Sequence, residues 1–589
     1  MTEPAVLGVE RSLSGRRWRQ RTADDRLGLA LAQRLGVPEI LGRVLAGRGV
    51  EPESAERFLN PTLREQLPDP SGFKDMDAAV ARLVRAIKGG ELIALFGDYD
   101  VDGATSAALL RRFLEAVGAR VVVYVPDRLK EGYGPNAPAL LKLKSEGVAV
   151  AVTVDCGITA HAPLAAAAEA GLDVVVIDHH LGEPSLPQAV AVVNPNRLDE
   201  RSPHGMLAAV GVAFLLAVGL NRALRQQGWY ASRPEPDLTE LLDLVALGTI
   251  CDVVPLTGVN RALVLQGLKV MRRLGNTGLA ALAAVAGVGE RIDTYHAGFI
   301  LGPRVNAGGR VGRADAGTRL LSTEDAGEAR ALAEALDRWN TERRAIESQV
   351  LEEAISAVER EGAALPIAFA ASEGWHPGVI GIVAGRLKDR YNRPACVVAL
   401  ESGVGKGSGR SVAGFALGTA VIAARQAGLL VNGGGHAMAA GFTVVEEKVG
   451  ALRDFLAARV HAEAGPEGLV PELGVDGALM PAAATPEFVT QLERLAPFGA
   501  GNAEPRFAFP GLRVMRADLV GSAHVRVILG EPAGGQRLKA IAFRSLDTPL
   551  GRALLEGRGQ AFHLAGHLRA DTWNGRNEVQ LLIDDAAAA

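Results

Sequence analysis

"LFGDYDVDGATSAALL", residues 95–110, places Asp98, Asp100 and Asp102 at alternate positions between an apolar run and an Ala-rich one. Adjacent carboxylates repel one another, so a cluster of this kind calls for a cation unless it is freely solvated. The DYDVDG segment matches the first half of an EF-hand loop. With Asp98 at position 1, however, the bidentate Glu needed at position 12 would be Leu109, which excludes a calcium loop. Just before the aspartates, "LIALF" (92–96) is apolar at every position, the pattern of a strand covered on both faces. If the loop after it is extended, alternate residues point the same way, and Asp100 and Asp102 face one site together.

Similar runs follow at 120–126 ("RVVVYVP"), 148–154 ("VAVAVTV"), 173–178 ("DVVVID") and 189–193 ("AVAVV"), with helical stretches between them. They predict a parallel sheet with crossover helices, a doubly wound α/β domain. Ligands of such sheets sit beyond the carboxyl ends of the strands. That is where Asp155 ("TVDCGIT") and Asp178, His179 and His180 ("VVVIDHH") fall, and "ALGTICDVVPL" adds Asp252 after another apolar stretch. A single Asp after a strand is commonly a helix N-cap. A set drawn from several segments predicts a metal centre instead. Carboxylate plus imidazole without thiolate suits Mn²⁺ or Mg²⁺ better than a structural zinc. Asp98, at the strand end, is read as orienting its neighbours, and Cys156 and Cys251 as small buried fillers.

The chain has 589 residues, 48% hydrophobic and 22% charged, enough for sizeable cores and roughly three or four domains. Three cysteines without a CxxC pair point to a reducing compartment. "MTEPAVLGVERSLSGRRWRQR" has no apolar core after its charges, so a signal peptide is not expected and a cytoplasmic location is. The uncharged run 205–220, "GMLAAVGVAFLLAVGL", is shorter than the ~20 residues a bilayer requires and reads as a buried helix, so no membrane partner is expected. Net charge is −4, so any polyanion contact must come from local basic patches.

Residues 1–70 read as helices and loops with a solvated Arg-rich start. From 324 to 362 no proline interrupts a helical spacing of apolar residues, which predicts one helix of about 58 Å, long enough to bridge two lobes. A smaller α/β unit follows over 363–465. It contains the Gly-rich loops "GKGSGRS" (405–411) and "NGGGHAMAAGF" (432–442), whose N–H groups, with Arg410, suit a phosphate. Over 466–589 short, partly alternating strands, with the Asn-Gly turn of "WNGRN", predict a small antiparallel barrel. From Arg506 onward eleven Lys and Arg face eight Asp and Glu, a mild basic excess.

The motifs "GDYDVDG", "TVDCGIT", "VIDHH" and "GTICDVVPL", in this order, resemble the DHH phosphoesterase superfamily, and in detail its bacterial single-strand-specific exonucleases. The resemblance covers nearly the whole chain. It implies a DHH catalytic domain (71–323), the connecting helix, a DHHA1 domain and an OB-like barrel. It implies two Mn²⁺ or Mg²⁺ ions: Asp100 on one, Asp102, His179 and Asp252 on the other, and Asp155 bridging. His180 would sit at the scissile phosphate, and Asp178 would support the histidines. Ser408 and Arg410 would contact the 5′-terminal phosphate in a cleft lined by Gly434, Gly435 and His436. His376 reads as structural. Arg128, Arg304, Asn306 and Arg310 would meet substrate from the first lobe, lining the cleft between lobes, and Arg526, Lys539 and Trp573 would do so from the barrel, although solvated arginines and barrel-core aromatics are the alternatives.

The implied activity is 5′-to-3′ digestion of single-stranded DNA to mononucleotides in recombination and repair, by a monomer working beside a single-strand-binding protein and a helicase. A phosphodiesterase of short oligonucleotides or dinucleotides, and a non-catalytic scaffold on the same fold, are the competing expectations. The three extra segments disfavour the first, and the filled ligand positions disfavour the second.

Overall fold

Five strands, β1 (Leu92–Gly97), β2 (Arg120–Tyr124), β3 (Val148–Val154), β4 (Asp173–Ile177) and β5 (Ala191–Val193), form one sheet in the order β2-β1-β3-β4-β5. Every pairing is parallel. The apolar runs alternate between two cores. Ile93 and Leu95 join the cluster under helices Met76–Gly89, α1 (Val101–Ala116) and α2 (Ala209–Gln226), while Ala94 and Phe96 join that under Ala137–Ser145 and His161–Glu169. Strands covered on both faces have no polar side to expose, which is why the sequence reads as continuous apolar runs. The strand order reverses between β1 and β3, so the chain's switch point lies where Asp98–Asp102 and Asp155 leave the sheet.

The structure, a computed structural model, describes residues 4–21, 24–127, 131–289, 291–360, 365–464, 469–532, 534–571 and 578–589. It divides into two compact units, one of residues 60–343 and 496–503, the other of residues 1–59, 344–495 and 504–589. The uncharged run at 205–220 lies mostly in the buried helix α2, and no helix among the described residues is long and apolar enough to cross a membrane. The long helix, α3 (Ala326–Arg360), begins two residues later than its spacing suggests, and the last two positions of the expected span lie outside the described residues.

In the second unit the sheet β6 (Ala368–Glu373), β7 (Ala395–Glu401), β8 (Val404–Arg410), β9 (Asn432–His436) and β10 (Ala439–Val445) is ordered β9-β10-β8-β7-β6, with only β6–β7 parallel. The two Gly-rich stretches are therefore strands, not loops. A Cβ on Gly407 would lie 2.0 Å from the Phe442 ring, so the glycines clear space for side chains of the neighbouring strand. The C-terminal barrel comprises β11 (Phe507–Val520), β12 (His524–Gly530), β13 (Arg537–Ala542), β14 (Ala561–Asp571) and β15 (Glu578–Ala588), and closes through β11–β14. It is not wholly antiparallel, since β13 and β15 pair in parallel. The turn at 573–577 lies outside the described residues.

The N-terminal segment carries the expected helices and loops, among them Asp25–Leu35 and Glu39–Ala46, but its Arg-rich start is not a solvated face. Arg17–Gln20 is a strand paired in parallel with Glu472–Val475. Trp18 is wholly buried and its Nε1 donates to Asp585 Oδ2 at 3.0 Å, while Arg21 and Arg48 reach the buried Asp476 at 2.6 and 3.0 Å. The arginines at the start of the chain partner acids near its end.

Candidate metal centre

Asp100 caps α1, its side chain accepting from Gly103 N at 3.0 Å, so the helix begins at Val101 and the loop is not extended as far as Asp102. Asp102 instead lies in the first helical turn and is almost wholly buried. Its Oδ2 accepts from Ala209 N at 2.7 Å and its Oδ1 from Val210 N at 2.9 Å, at the positive end of α2. The helix α4 (Leu242–Cys251) brings Asp252 in at its C-terminal cap. It approaches closely because residue 248 is glycine: a Cβ there would lie 2.3 Å from Thr105 Oγ1 and 3.1 Å from Asp102 Oδ1.

Asp155 follows β3 in the left-handed region, at φ +61°, where a residue other than Gly costs roughly 1–2 kcal/mol. Its N–H donates to Ile177 O, and its carbonyl accepts from the Tyr133 hydroxyl at 3.0 Å. His179 is the focus: its Nε2 lies 3.3 Å from Asp155 Oδ1, 3.6 Å from Asp252 Oδ2 and 3.8 Å from Asp102 Oδ2. Donor atoms of Asp102, His179 and Asp252 form one triplet within 4.8 Å, and those of Asp98, Asp100 and Asp155 another. Asp98 thus offers an oxygen within reach of the same position as Asp100 and Asp155.

Three buried atoms at this focus, Asp155 Oδ1, His179 Nε2 and Asp252 Oδ2, have no hydrogen-bond partner. Leaving such atoms unsatisfied costs about 1–3 kcal/mol each, more for charged groups. Burial and the surrounding aspartates raise Asp102 and Asp155 well above the usual carboxylate range, and burial with Asp100 raises Asp252. Burial, helped by the charge of His180, pushes His179 down to about 4, so its imidazole is neutral at pH 7. Strained charge, an acceptor nitrogen and oxygen donors together fit a divalent cation.

Asp178 is wholly buried and fully engaged. Its Oδ1 accepts from the backbone N–H groups of His179 and His180 and pairs with His180 Nδ1 at 2.7 Å, while Oδ2 accepts from Ile158 N. Burial alone would lower His180, but the hydrogen bond and charge of Asp178, with Asp252 and Asp100, hold it up to about 9. Sequence reasoning missed Asn194 and Asn196, whose amides donate to His180 O (2.8 Å) and His179 O (2.6 Å) and fix the histidine loop. "VVNPN" after a strand was the available signal. It also missed Tyr133, which packs edge-on to the His180 ring.

Other candidates stand elsewhere. Arg304 is engaged within its own unit: its Nε donates to Asp337 at 2.8 Å and its Nη1 to Ile300 O at 2.7 Å. Asn306 and Arg310 lie half-buried on helix Gly302–Val311, which meets Tyr99 of the aspartate loop where a Cβ on Gly309 would be 2.8 Å from Tyr99 Cβ. In the other unit Ser408, Gly441 and Gly434 align across β8, β10 and β9, and Gly435 and His436 are exposed. Arg410 Nη1 is 3.3 Å from Ser408 Oγ, and both side chains abut Gly381 at the start of helix Ile380–Tyr391. His376 Nδ1 accepts from Gly378 N, a structural turn. In the barrel Lys539 pairs with Glu578, and Arg526 lies 3.5 Å from Asp518. Arg128 and Trp573 lie outside the described residues.

A parallel sheet with this acid and histidine set at its switch point is the arrangement of a DHH phosphoesterase. Residues 92–249 match the DHH family N-terminal domain, 364–462 the DHHA1 domain and 475–585 the RecJ OB domain. The single-stranded-DNA-specific exonuclease RecJ of Escherichia coli is 38% identical over 93% of this chain and 96% of its own length. The crystal structure of RecJ from Thermus thermophilus in complex with Mn²⁺ superposes with TM-score 0.80 at 31% identity, covering 96% of this chain and 78% of that one. The corresponding Mg²⁺ complex gives 0.74 at 29% identity, over 96% and 77%. This chain belongs to the RecJ family.

Proposed function

We propose that this chain is a metal-dependent exonuclease that digests single-stranded DNA from the 5′ end to mononucleotides. The observation that carries this reading is the set of unpartnered buried donors around His179 Nε2, flanked by two acid groups, in a chain whose relatives bear that name. Asp102, His179 and Asp252 would hold one Mn²⁺ or Mg²⁺, Asp100 with Asp98 the other, and Asp155 both. Bound there, the pair supplies an activated water and stabilises the charge of a phosphodiester displacement.

The chain's own residues do the rest. Asp178 anchors His180 through Nδ1, so that the half-exposed ring is placed to give a proton to the leaving 3′ oxygen. Ser408 and Arg410, with the Gly434, Gly435 and His436 strand and the N-terminus of helix Ile380–Tyr391, take the 5′-terminal phosphate. Arg310, Asn306 and Arg128 contact the strand, as do Arg526 and Trp573 of the barrel. The corresponding domains are 71–323, 363–465 and 466–589. The same reading places a monomer in the cytoplasm, beside a single-strand-binding protein and a helicase, in recombination and repair.

The test uses 5′- and 3′-labelled single strands, a matching duplex and a dinucleotide, with Mn²⁺, with EDTA, and with Asp155→Ala. Immediate release of labelled mononucleotide from the 5′-labelled single strand alone, lost with EDTA and with the substitution, is the expected result. Cleavage of the dinucleotide only, or binding without turnover, overturns it.

A further inference from the structure

Asp252 is followed by Val253 at φ +62°, a left-handed conformation in which a β-branched residue is an outlier, and Val253 is 69% exposed. Such a conformation persists only where the surroundings over-determine it. Here they do so from outside the Asp252 loop. The strap Ala496–Ala503 packs on Pro255 and Leu256: Leu256 N donates to Ala500 O at 2.8 Å, and Cβ atoms on Gly499 and Gly501 would lie 2.7 Å from Leu256 Cδ1 and 3.0 Å from Pro255 Cβ. The strap is itself a closed turn, with Gly499 and Asn502 bridged through their backbones and Asn502 Nδ2 on Pro497 O at 2.8 Å. Its fastening is Arg261, 1% exposed, whose Nη2 donates to Ala496 O at 2.7 Å and whose Nη1 lies 3.5 Å from Pro497 O. From the same helix, Gly258–Met271, Asn260 Nδ2 donates to Pro255 O at 3.0 Å and Met206 O at 2.6 Å.

We infer that Arg261, by locking the 496–503 strap onto the Pro255–Leu256 corner, is a positioning residue that holds Asp252 in the Asp102, His179 and Asp252 metal triplet. The inference rests on the metal reading above. A buried guanidinium that donates to carbonyl oxygens of the strap fixes backbone in place. The strap it fixes holds the Pro255–Leu256 corner, and that corner is joined to Asp252 through Val254 and the strained Val253. Outer partners of this kind typically set metal affinity by about 10–100-fold.

The experiment is calorimetric titration of the full-length, metal-free protein with Mn²⁺, for the wild type, Arg261→Gln, Arg261→Lys, Gly501→Ala and Asp252→Asn, alongside the Mn²⁺ dependence of turnover. Arg261→Gln is expected to weaken Mn²⁺ binding about tenfold, with kcat recovering at saturating metal. Arg261→Lys, which keeps the charge and a single donor nitrogen, should fall between. Gly501→Ala, strained at φ +70° and crowding Pro255, should act in the same direction and carries the test if Arg261→Gln does not fold. Unchanged Mn²⁺ affinity in the folded Arg261 or Gly501 variants, while Asp252→Asn loses it, overturns the latch alone. Unchanged affinity in Asp252→Asn overturns the metal reading beneath it.

Discussion

Asp476 and Asp155 are both aspartates of 2% exposure or less, and the fold treats them in opposite ways. Asp476 receives Arg21, Arg48 and the backbone N–H of Arg506, so its charge is matched by cations that the chain itself brings. Asp155 sits among Asp98, Asp100, Asp102 and Asp252, with neutral His179 closest and one of its oxygens unpartnered. A buried charge that only holds structure is neutralised inside the molecule. One left in surplus, on a strained backbone, is kept for a cation from outside.

The contrast can be broken most forcefully at the metal site. Asp155→Asn, which keeps the shape and tolerates the left-handed backbone, should reduce kcat on the order of ten-thousandfold and abolish stoichiometric Mn²⁺ uptake in calorimetry. The counterpart, Asp476→Ala, should leave the metal centre intact but cost about 3–5 kcal/mol, because the carboxylate that balances Arg21 and Arg48 is lost. Denaturant unfolding monitored at Trp18 would read that loss.

A third case sharpens the rule. Asp243 is also buried, and burial raises its carboxyl to about 6. The folded state therefore binds this proton more tightly than the unfolded one, so its contribution to stability is greatest at low pH and falls as pH rises from the ordinary carboxylate range to about 6. Asp243→Asn should flatten that segment of the stability profile and gain up to about 3 kcal/mol at pH 8, measured by urea unfolding across pH. By the same sign, Asp155→Asn without metal should be more stable than the wild type, the reverse of Asp476→Ala. The smallest effect belongs to the barrel surface. Arg526→Ala breaks an exposed pair and should shift stability by under about 0.5 kcal/mol, while lowering the salt slope of single-strand binding by about 0.7.

Much of the metal half was legible because its signals are local. Strands buried on both faces announce themselves as unbroken apolar runs, and the ligands follow them within a few residues, as at Asp155 and His179. The other half was less legible where the partner is remote or the side chain absent. Nothing near Trp18 indicates that its indole meets Asp585, 567 positions away. Strand β8 reads as a loop because its glycines carry no hydrophobic pattern. The pairing of Arg304 with Asp337 was equally out of reach, since nothing near either residue in sequence announces the other. Asn194 and Asn196 act on backbone carbonyls, which no motif of side chains reveals.

The pairing of Arg17–Gln20 with Glu472–Val475, and of Leu13 with Ala586, also sets an order of assembly during synthesis. At usual translation rates the first residues wait roughly half a minute to two minutes for the partners that bury them. The parallel sheet and its metal ligands, complete by about residue 260, can fold on the ribosome meanwhile. Trp18 and its flanking arginines must stay soluble until the last strand emerges. A chain stopped short of that strand should therefore carry a formed metal centre and an unfolded beginning, exposed to proteases at its N-terminus as well as in the opened barrel.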